Sequence, residues 1–298
     1  MYTEIARNKR NSYFLIFLFL IVIILFCWVF SLAFNNPTIL YLGVGFTMLY
    51  AVISYFQASN MVLAISKAKP IEKKDNPTLF RLVENLSIAS GLPMPKVYII
   101  DDSAPNAFAT GRDPKHAVVC VTSGLLEILN KTELEGVLAH ELSHVGNYDV
   151  RFMTLVVVLV GVLVLLSDWF IRISWFSDDR DSGGNNIMLL IGIVFAILAP
   201  IIGMLMQLAF SRKREYLADS SAALLTRYPE GLASALEKID GDTKPLKEAN
   251  RATANLYIIN PLRDNVKGNR KRLFSNLFST HPPTEERIKR LRSMENKV

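Results

Sequence analysis

The sequence predicts a predominantly α-helical integral membrane protein, with four transmembrane helices and a cytosolic α+β domain. Three observations predict it. At 298 residues, 51% hydrophobic content and a mean hydropathy of +0.27, the chain is too apolar for an ordinary soluble domain. Four nearly uncharged stretches reach the length needed to cross a bilayer. The segments between and after them are polar, carry helical and strand periodicity, and hold most of the charge.

Residues 1–66 form the N-terminal transmembrane hairpin. Its apolar stretches, 14–34 and 38–58, are separated by Asn35-Asn36-Pro37, a tight connection. The first stretch is long for a signal-peptide core and a second span follows it directly, so it reads as a retained anchor. Residues 67–152 form a cytosolic segment. Asn76-Pro77 opens a helix that presents Leu79, Leu82, Val83 and Leu86 on one face and closes before Gly91. Strands are expected at Lys96–Ile100 and Ala117–Thr122, with a third possible over 106–111. The next helix carries Leu134, Val137, Leu138 and Val145 as its apolar stripe, with Thr132 and Glu135 in a capping-box pattern. Residues 153–210 form the second transmembrane hairpin, with spans at 153–174 and 187–210 and a polar loop from Ser177 to Asn186. Asp168 and Arg172, four apart in the third span, read as a structural pair near its outer end. Residues 211–298 form a second cytosolic segment with helices at 229–239 and 284–295, the latter turning Ile288 and Leu291 inward. Between these helices the chain is poorly periodic. There Lys267, Arg270, Lys271 and Arg272 precede Leu273, Phe274, Leu277 and Phe278, a pattern for resting on anionic lipid or for a basic loop.

Charge sets the topology. Arg7, Lys9 and Arg10 precede the first span, Lys67, Lys69, Lys73 and Lys74 follow the second, and Arg212, Lys213 and Arg214 follow the fourth. All three clusters belong inside, which places both termini and the two intervening segments in the cytoplasm. A net charge of +6 and a pI near 9.2 could suggest nucleic acid, but the basic residues cluster at membrane edges and imply lipid instead. Two cysteines, Cys27 and Cys120, give neither a disulfide framework nor a thiolate metal motif.

The chemistry concentrates in His140-Glu141-Leu142-Ser143-His144. On a helix, residues four apart share a face, so both imidazoles can reach one metal ion, while Glu141 is placed to take a proton from a metal-activated water. A catalytic zinc site needs a third protein ligand and an open position. The metzincin extension is excluded, because Asn147 and Val150 stand where Gly and His would be required. Glu215 is the candidate third ligand, in Ser211-Arg212-Lys213-Arg214-Glu215-Tyr216-Leu217-Ala218-Asp219, and Asp219 shares its face and could orient a ligating histidine from behind. The bland alternative is a solvated charge cluster. Together these features describe a zincin-like catalytic domain at a membrane surface, assembled from the segments on either side of the second hairpin.

Two further stretches are candidates. Asn106, Ala107 and Phe108 lie in the segment 106–109, which could be an exposed sheet edge that binds an extended peptide or an ordinary hairpin connection. His281, in Ser279-Thr280-His281-Pro282-Pro283, is held on a stiffened backbone and could stabilise a developing oxyanion, or serve only in packing. His116 has no supporting pattern and reads as structural.

The segments Asn106-Ala107-Phe108-Ala109, Ala139-His140-Glu141-Leu142-Ser143-His144, Ser211 to Asp219 and Ser279-Thr280-His281-Pro282-Pro283 resemble those of the HtpX family of bacterial membrane zinc proteases, in the family's order and over essentially the whole chain. The resemblance implies one Zn2+ on His140, His144 and Glu215, with Glu141 as general base. It implies a role in degrading unfolded or damaged membrane proteins, and so a bacterial inner-membrane location. It also favours the substrate-edge reading of Asn106 and the transition-state reading of His281. Two other functions compete. Specific processing of the CAAX prenyl protease type uses a similar pentad and downstream Glu, usually with more spans, and a membrane scaffold with a structural zinc would need a fourth protein ligand that the sequence does not offer.

Overall fold

The computed structural model describes residues 2–33, 35–156, 159, 212–247, 253, 256–261 and 282–295. Most of the third span, all of the fourth, Asp168, Arg172, the basic stretch 267–278 and His281 lie outside the described residues.

Helices α1 (Tyr2–Ala33) and α2 (Thr38–Ile65) form an antiparallel hairpin. Both run beyond the apolar stretches read from the sequence. The apolar windows are Ile5–Leu25 and Leu40–Ile65, only 28% and 22% buried inside the protein. Leu15, Phe19, Ile23 and Cys27 form the inner face of α1, while Phe14, Phe17, Trp28, Tyr41, Leu42, Phe46 and Leu49 point outward. A helix apolar all round but buried on one side alone is suited to lipid rather than to a soluble core. The early start of α1 places Arg7, Lys9 and Arg10 inside the helix, where its first turns pack on the rest of the molecule.

A sheet follows, in the order β1-β2-β4-β3: β1 (Lys69–Pro70), β2 (Lys96–Ile100), β3 (Ala107–Thr110) and β4 (Val118–Thr122). β2 and β4 are parallel, with Val97 opposite Val119, and β3 is antiparallel to β4, with Phe108 opposite Cys120. Both faces of the sheet are covered. Ile100, Phe108, Val118 and Cys120 face a core shared with the α1–α2 hairpin, Phe152 and Val156. Val97, Ala107, Ala109, Val119 and Val121 face a second core built from the helices behind. This double burial explains the unbroken apolar runs in β2 and β4.

The second core takes in α3 (Pro77–Ser90), α5 (Lys131–Gly146), α6 (Arg212–Thr226), α7 (Pro229–Gly241) and α8 (Thr284–Arg292), with the short α4 (Ser123–Ile128) leading into α5. The expected α3 ends hold: the Asn76 side chain accepts from the Leu79 N–H, and Gly91 closes the helix at φ +68°. The α5 start differs. Its capping box is Asn130 with Glu133, two residues upstream of the Thr132–Glu135 pattern. Glu133 is drawn into that role by Ser234 and Lys238 of α7, each 2.8 Å from its carboxylate, contacts that local sequence cannot reveal. The surrounding positive groups and hydrogen bonds hold the Glu133 carboxyl below its usual range, although partial burial opposes them.

Candidate metal centre

α5 and α6 pack side by side at the centre of the second core. On α5, His140, Glu141 and His144 are all buried, in a helix whose remaining buried residues are mostly small or aliphatic. On α6, Glu215, Ala218, Asp219, Ala222 and Ala223 form the buried face, and the alanines permit close approach to α5. The two helices thus bring together residues about 70 positions apart in the chain.

The His140 and His144 Nε2 atoms lie 3.2 Å apart, and one oxygen of Glu215 lies 3.5 Å from the His144 Nε2. The ligand atoms of His140, His144 and Glu215 all fall within 4.8 Å of one another. Two nitrogens bound tetrahedrally at about 2.05 Å to one zinc would be roughly 3.3 Å apart, so the spacing fits a shared metal. The other ring nitrogens fit as well. His140 Nδ1 is 3.0 Å from Asp219 Oδ1, and His144 Nδ1 is 3.1 Å from Asp149 Oδ2. A carboxylate behind each ring fixes the proton on Nδ1 and turns the Nε2 lone pair toward the centre. Glu141 neighbours the pair, and its carboxylate accepts a hydrogen bond from the Ala109 backbone N–H of β3.

Arg287 of α8 completes the arrangement, and it was not singled out from the sequence. It is 1% exposed, and its guanidinium grips Asp219 by two bonds, Nε to Oδ2 at 2.9 Å and Nη2 to Oδ1 at 2.7 Å. It also lies 3.5 Å from Glu215 and donates to the Ile258 carbonyl at 3.1 Å. A buried charge is tolerated when its forks are all satisfied in this way. The available signal was its spacing: Arg287 stands four residues before Leu291, on the helix face that Leu291 buries. Asp149 was also missed, although it follows His144 by only five residues.

The electrostatics separate the two histidines. Burial depresses His140, and the charge of Arg287 reinforces that against the pull of Asp219. Burial works against protonation of His144 too, but Asp149, Glu215 and Glu141 outweigh it and raise the ring to about 9. Burial lifts Glu141 to about 7, with Glu215 adding to the rise and His144 and Arg287 opposing it. Asp219 stays low despite burial because Arg287 and His140 face it.

The other sequence candidates fall as follows. Asn106, Ala107 and Phe108 are buried at the outermost strand of the sheet, and that edge is met by residues 256–259 of the same chain. Ile258 N–H donates to the Ala107 carbonyl at 2.9 Å, Asn106 Nδ2 donates to the Ile259 carbonyl at 2.8 Å, and Phe108 bridges Tyr257 with their rings edge to face at 5.0 Å. His116 sits in a surface turn, 2.7 Å from Asp113 and apart from the centre.

Comparison with known proteins agrees with this geometry. The model of Peptidase family M48 matches residues 73–295. Among curated relatives, a "Protease HtpX homolog" of Tropheryma whipplei (strain Twist) is 49% identical over 99% of both chains. Another of that name from Dictyoglomus turgidum is 48% identical, over 98% of this chain and 94% of its own. A third, from Lactobacillus helveticus, is 45% identical over 99% of this chain and the whole of its own. Among solved structures, S. mikatae Ste24p aligns with a TM-score of 0.53 at 20% identity, covering 89% of this chain, which spans 61% of that one; the likeness is one of fold. A match over most of the chain, carried by full-length protease relatives and housing a buried His–His–Glu group, identifies the protein as a metalloprotease belonging to peptidase family M48.

Proposed function

We propose that this chain is an HtpX-type zinc endopeptidase that cleaves unfolded or damaged membrane proteins at the cytosolic face of the bacterial inner membrane. The observation that carries the reading is the convergence of two carboxylate-backed histidines and Glu215 in a helical core, with an apolar hairpin packed on the opposite face of the sheet. Zinc suits the two imidazoles and one carboxylate better than a hard, oxygen-seeking cation would. Three ligands, the number found among the described residues, match a catalytic site rather than a closed structural one.

His140, His144 and Glu215 hold the ion in this reading. When bound, it supplies Lewis acidity toward water and toward the scissile carbonyl. Glu141 accepts a proton from the attacking water and returns it to the departing amine. Asp219, gripped by Arg287, keeps His140 in the tautomer that ligates. Asn106, Ala107 and Phe108 receive substrate by strand addition, a mode supported by residues 256–259, which already pair with that edge. His281 completes the site as a donor to the oxyanion. In this layout residues 67–152 and 211–298 form one catalytic unit, hairpins 1–66 and 153–210 make four spans, and both termini are cytosolic.

The test is cleavage of an unfolded membrane-protein reporter by the detergent-purified full chain, with zinc content measured in parallel. Glu141→Gln should retain zinc and lose cleavage by about a hundredfold to ten-thousandfold. Turnover near the parent level in the zinc-loaded variant would remove Glu141 from its role. A lipid-modified CAAX-type peptide serves as the contrasting substrate, and preferential cleavage of it would favour specific processing over quality control.

A further inference from the structure

The turn that follows α5 ties the metal centre to the first membrane helix. Asn8, in the N-terminal part of α1, is 1% exposed, and its Nδ2 makes two bonds across the chain. It donates to the Asn147 carbonyl at 2.9 Å, at the C-terminal end of α5, and to Asp149 Oδ1 at 2.7 Å. The other oxygen of the same carboxylate faces His144 Nδ1 at 3.1 Å. Arg214, beside Glu215 on α6, lies 3.6 Å from Asp149 Oδ1 and stacks on Phe152 at 4.5 Å. Asp149 is therefore where α1, α5 and α6 meet, one bond from a histidine of the centre.

The backbone agrees with the side chains. Tyr148, between Asn147 and Asp149, adopts φ +61°, a left-handed conformation that an aromatic residue takes up only when its surroundings enforce it. Those surroundings come from α1: Asn8 fastens the residues on either side, and Lys9 lies over the Tyr148 ring at 4.3 Å. Without α1 the turn would keep the Tyr148 N–H bond to the Val145 carbonyl and the Arg214 contact with Asp149, but would lose the two bonds from Asn8.

We propose that Asp149 is the positioning residue for His144 and that Asn8 sets it, so that the membrane hairpin is a working part of the metal centre as well as its anchor. The proposal rests on the reading of His144 as a metal ligand. A carboxylate behind a ligating imidazole fixes its tautomer and raises its donor strength, and its loss typically lowers metal affinity about 10–100-fold. Asn8 acts one step further out and should matter less.

The experiment measures zinc affinity by chelator competition on the full chain in detergent, in a Glu141→Gln background that prevents self-cleavage. The visible spectrum of the Co2+-substituted protein is recorded alongside. Asp149→Asn should weaken zinc tenfold or more and shift the cobalt bands, and Asn8→Ala should weaken it about threefold to tenfold. Ser12→Ala serves as the control on the same buried face of α1, because among the described residues Ser12 bonds to the Asn8 carbonyl within its own helix, and it should leave affinity unchanged. Should Asp149→Asn fold poorly, the pair Asn8→Asp with Asp149→Asn restores a hydrogen bond between the two positions. It still leaves an amide behind His144, so folding should recover while zinc affinity stays low. Affinity within twofold of the parent in Asn8→Ala and in the double variant, with unshifted cobalt bands, would overturn the proposal. A parent that binds no zinc would instead overturn the assignment of the centre itself.

Discussion

Glu141 shows how the site's chemistry depends on its surroundings more than on its sequence position. Burial raises its carboxyl from the ordinary glutamate range to about 7, and the negative charge of Glu215 adds to the effect, against the pull of His144 and Arg287. A base near neutrality is well matched to proton transfer at cellular pH. Only the ionised form accepts a proton, so activity should be lost as pH falls through the working pKa, by tenfold per unit below it. A bound divalent cation favours the carboxylate and moves that pKa down, toward the free glutamate value of about 4.3. The acid limb of kcat/KM should therefore lie below pH 7, read from a profile in which metal content is measured at every point. A limb above 7 would mean that another group limits the reaction. The same physics explains why His140 and His144 differ. The charge of Arg287 bears on His140 against the pull of Asp219, whereas three carboxylates, Asp149, Glu215 and Glu141, raise His144.

At the level of elements, the position of the site depends on how closely α5 approaches α7. Gly136 lies on α5 where a Cβ would stand 2.7 Å from the Leu232 nitrogen and 2.9 Å from its Cα, and a Cβ on Gly231 would stand 2.8 Å from the Thr132 carbonyl oxygen. The opposing atoms are backbone and cannot rotate away. Gly136→Ala should destabilise the protein by about 1–3 kcal/mol through overpacking, even though alanine is the better helix former by roughly 1 kcal/mol. Thermal unfolding of the detergent-solubilised chain checks this, and a raised Tm would show that α7 can shift outward. These elements were largely legible beforehand. Asn76 and Gly91 bracket α3, the runs of β2 and β4 stand out as apolar, and the His140–His144 spacing places both rings on one face. What escaped was set by partners distant in sequence. Glu133 replaces Glu135 in the capping box because α7 supplies Ser234 and Lys238, and Arg287 is buried because Asp219 lies 68 residues upstream. Asp149 owes its orientation to Asn8, 141 residues away. A periodicity argument sees a charged residue among charged neighbours and assigns it to solvent; only the folded chain supplies the counter-charge that makes burial tolerable.

On the scale of the whole molecule, the catalytic core and the sheet edge are closed by the chain itself. Residues 256–259 run along β3, and the Ile258 carbonyl is held by the guanidinium that also grips Asp219. An extended peptide that adds to β3 must compete for the Ala107 carbonyl and the Asn106 side chain, which Ile258 and Ile259 now occupy. Opening that edge has a free-energy cost, and the cost appears in KM when the segment leaves before substrate enters. Tyr257 is the place to reduce it. Its ring packs edge to face on Phe108, a contact worth about 0.5–1.5 kcal/mol beyond the area it buries. Tyr257→Ala should lower KM for an unfolded reporter by about twofold to tenfold with little change in kcat, since its ring packs on Phe108 of the edge. A purely structural role for Tyr257 would show the reverse, a raised KM or a lost fold. Steady-state kinetics of the two forms, with equal metal content and matched thermal stability, decides between an edge that the chain guards and one that it merely completes.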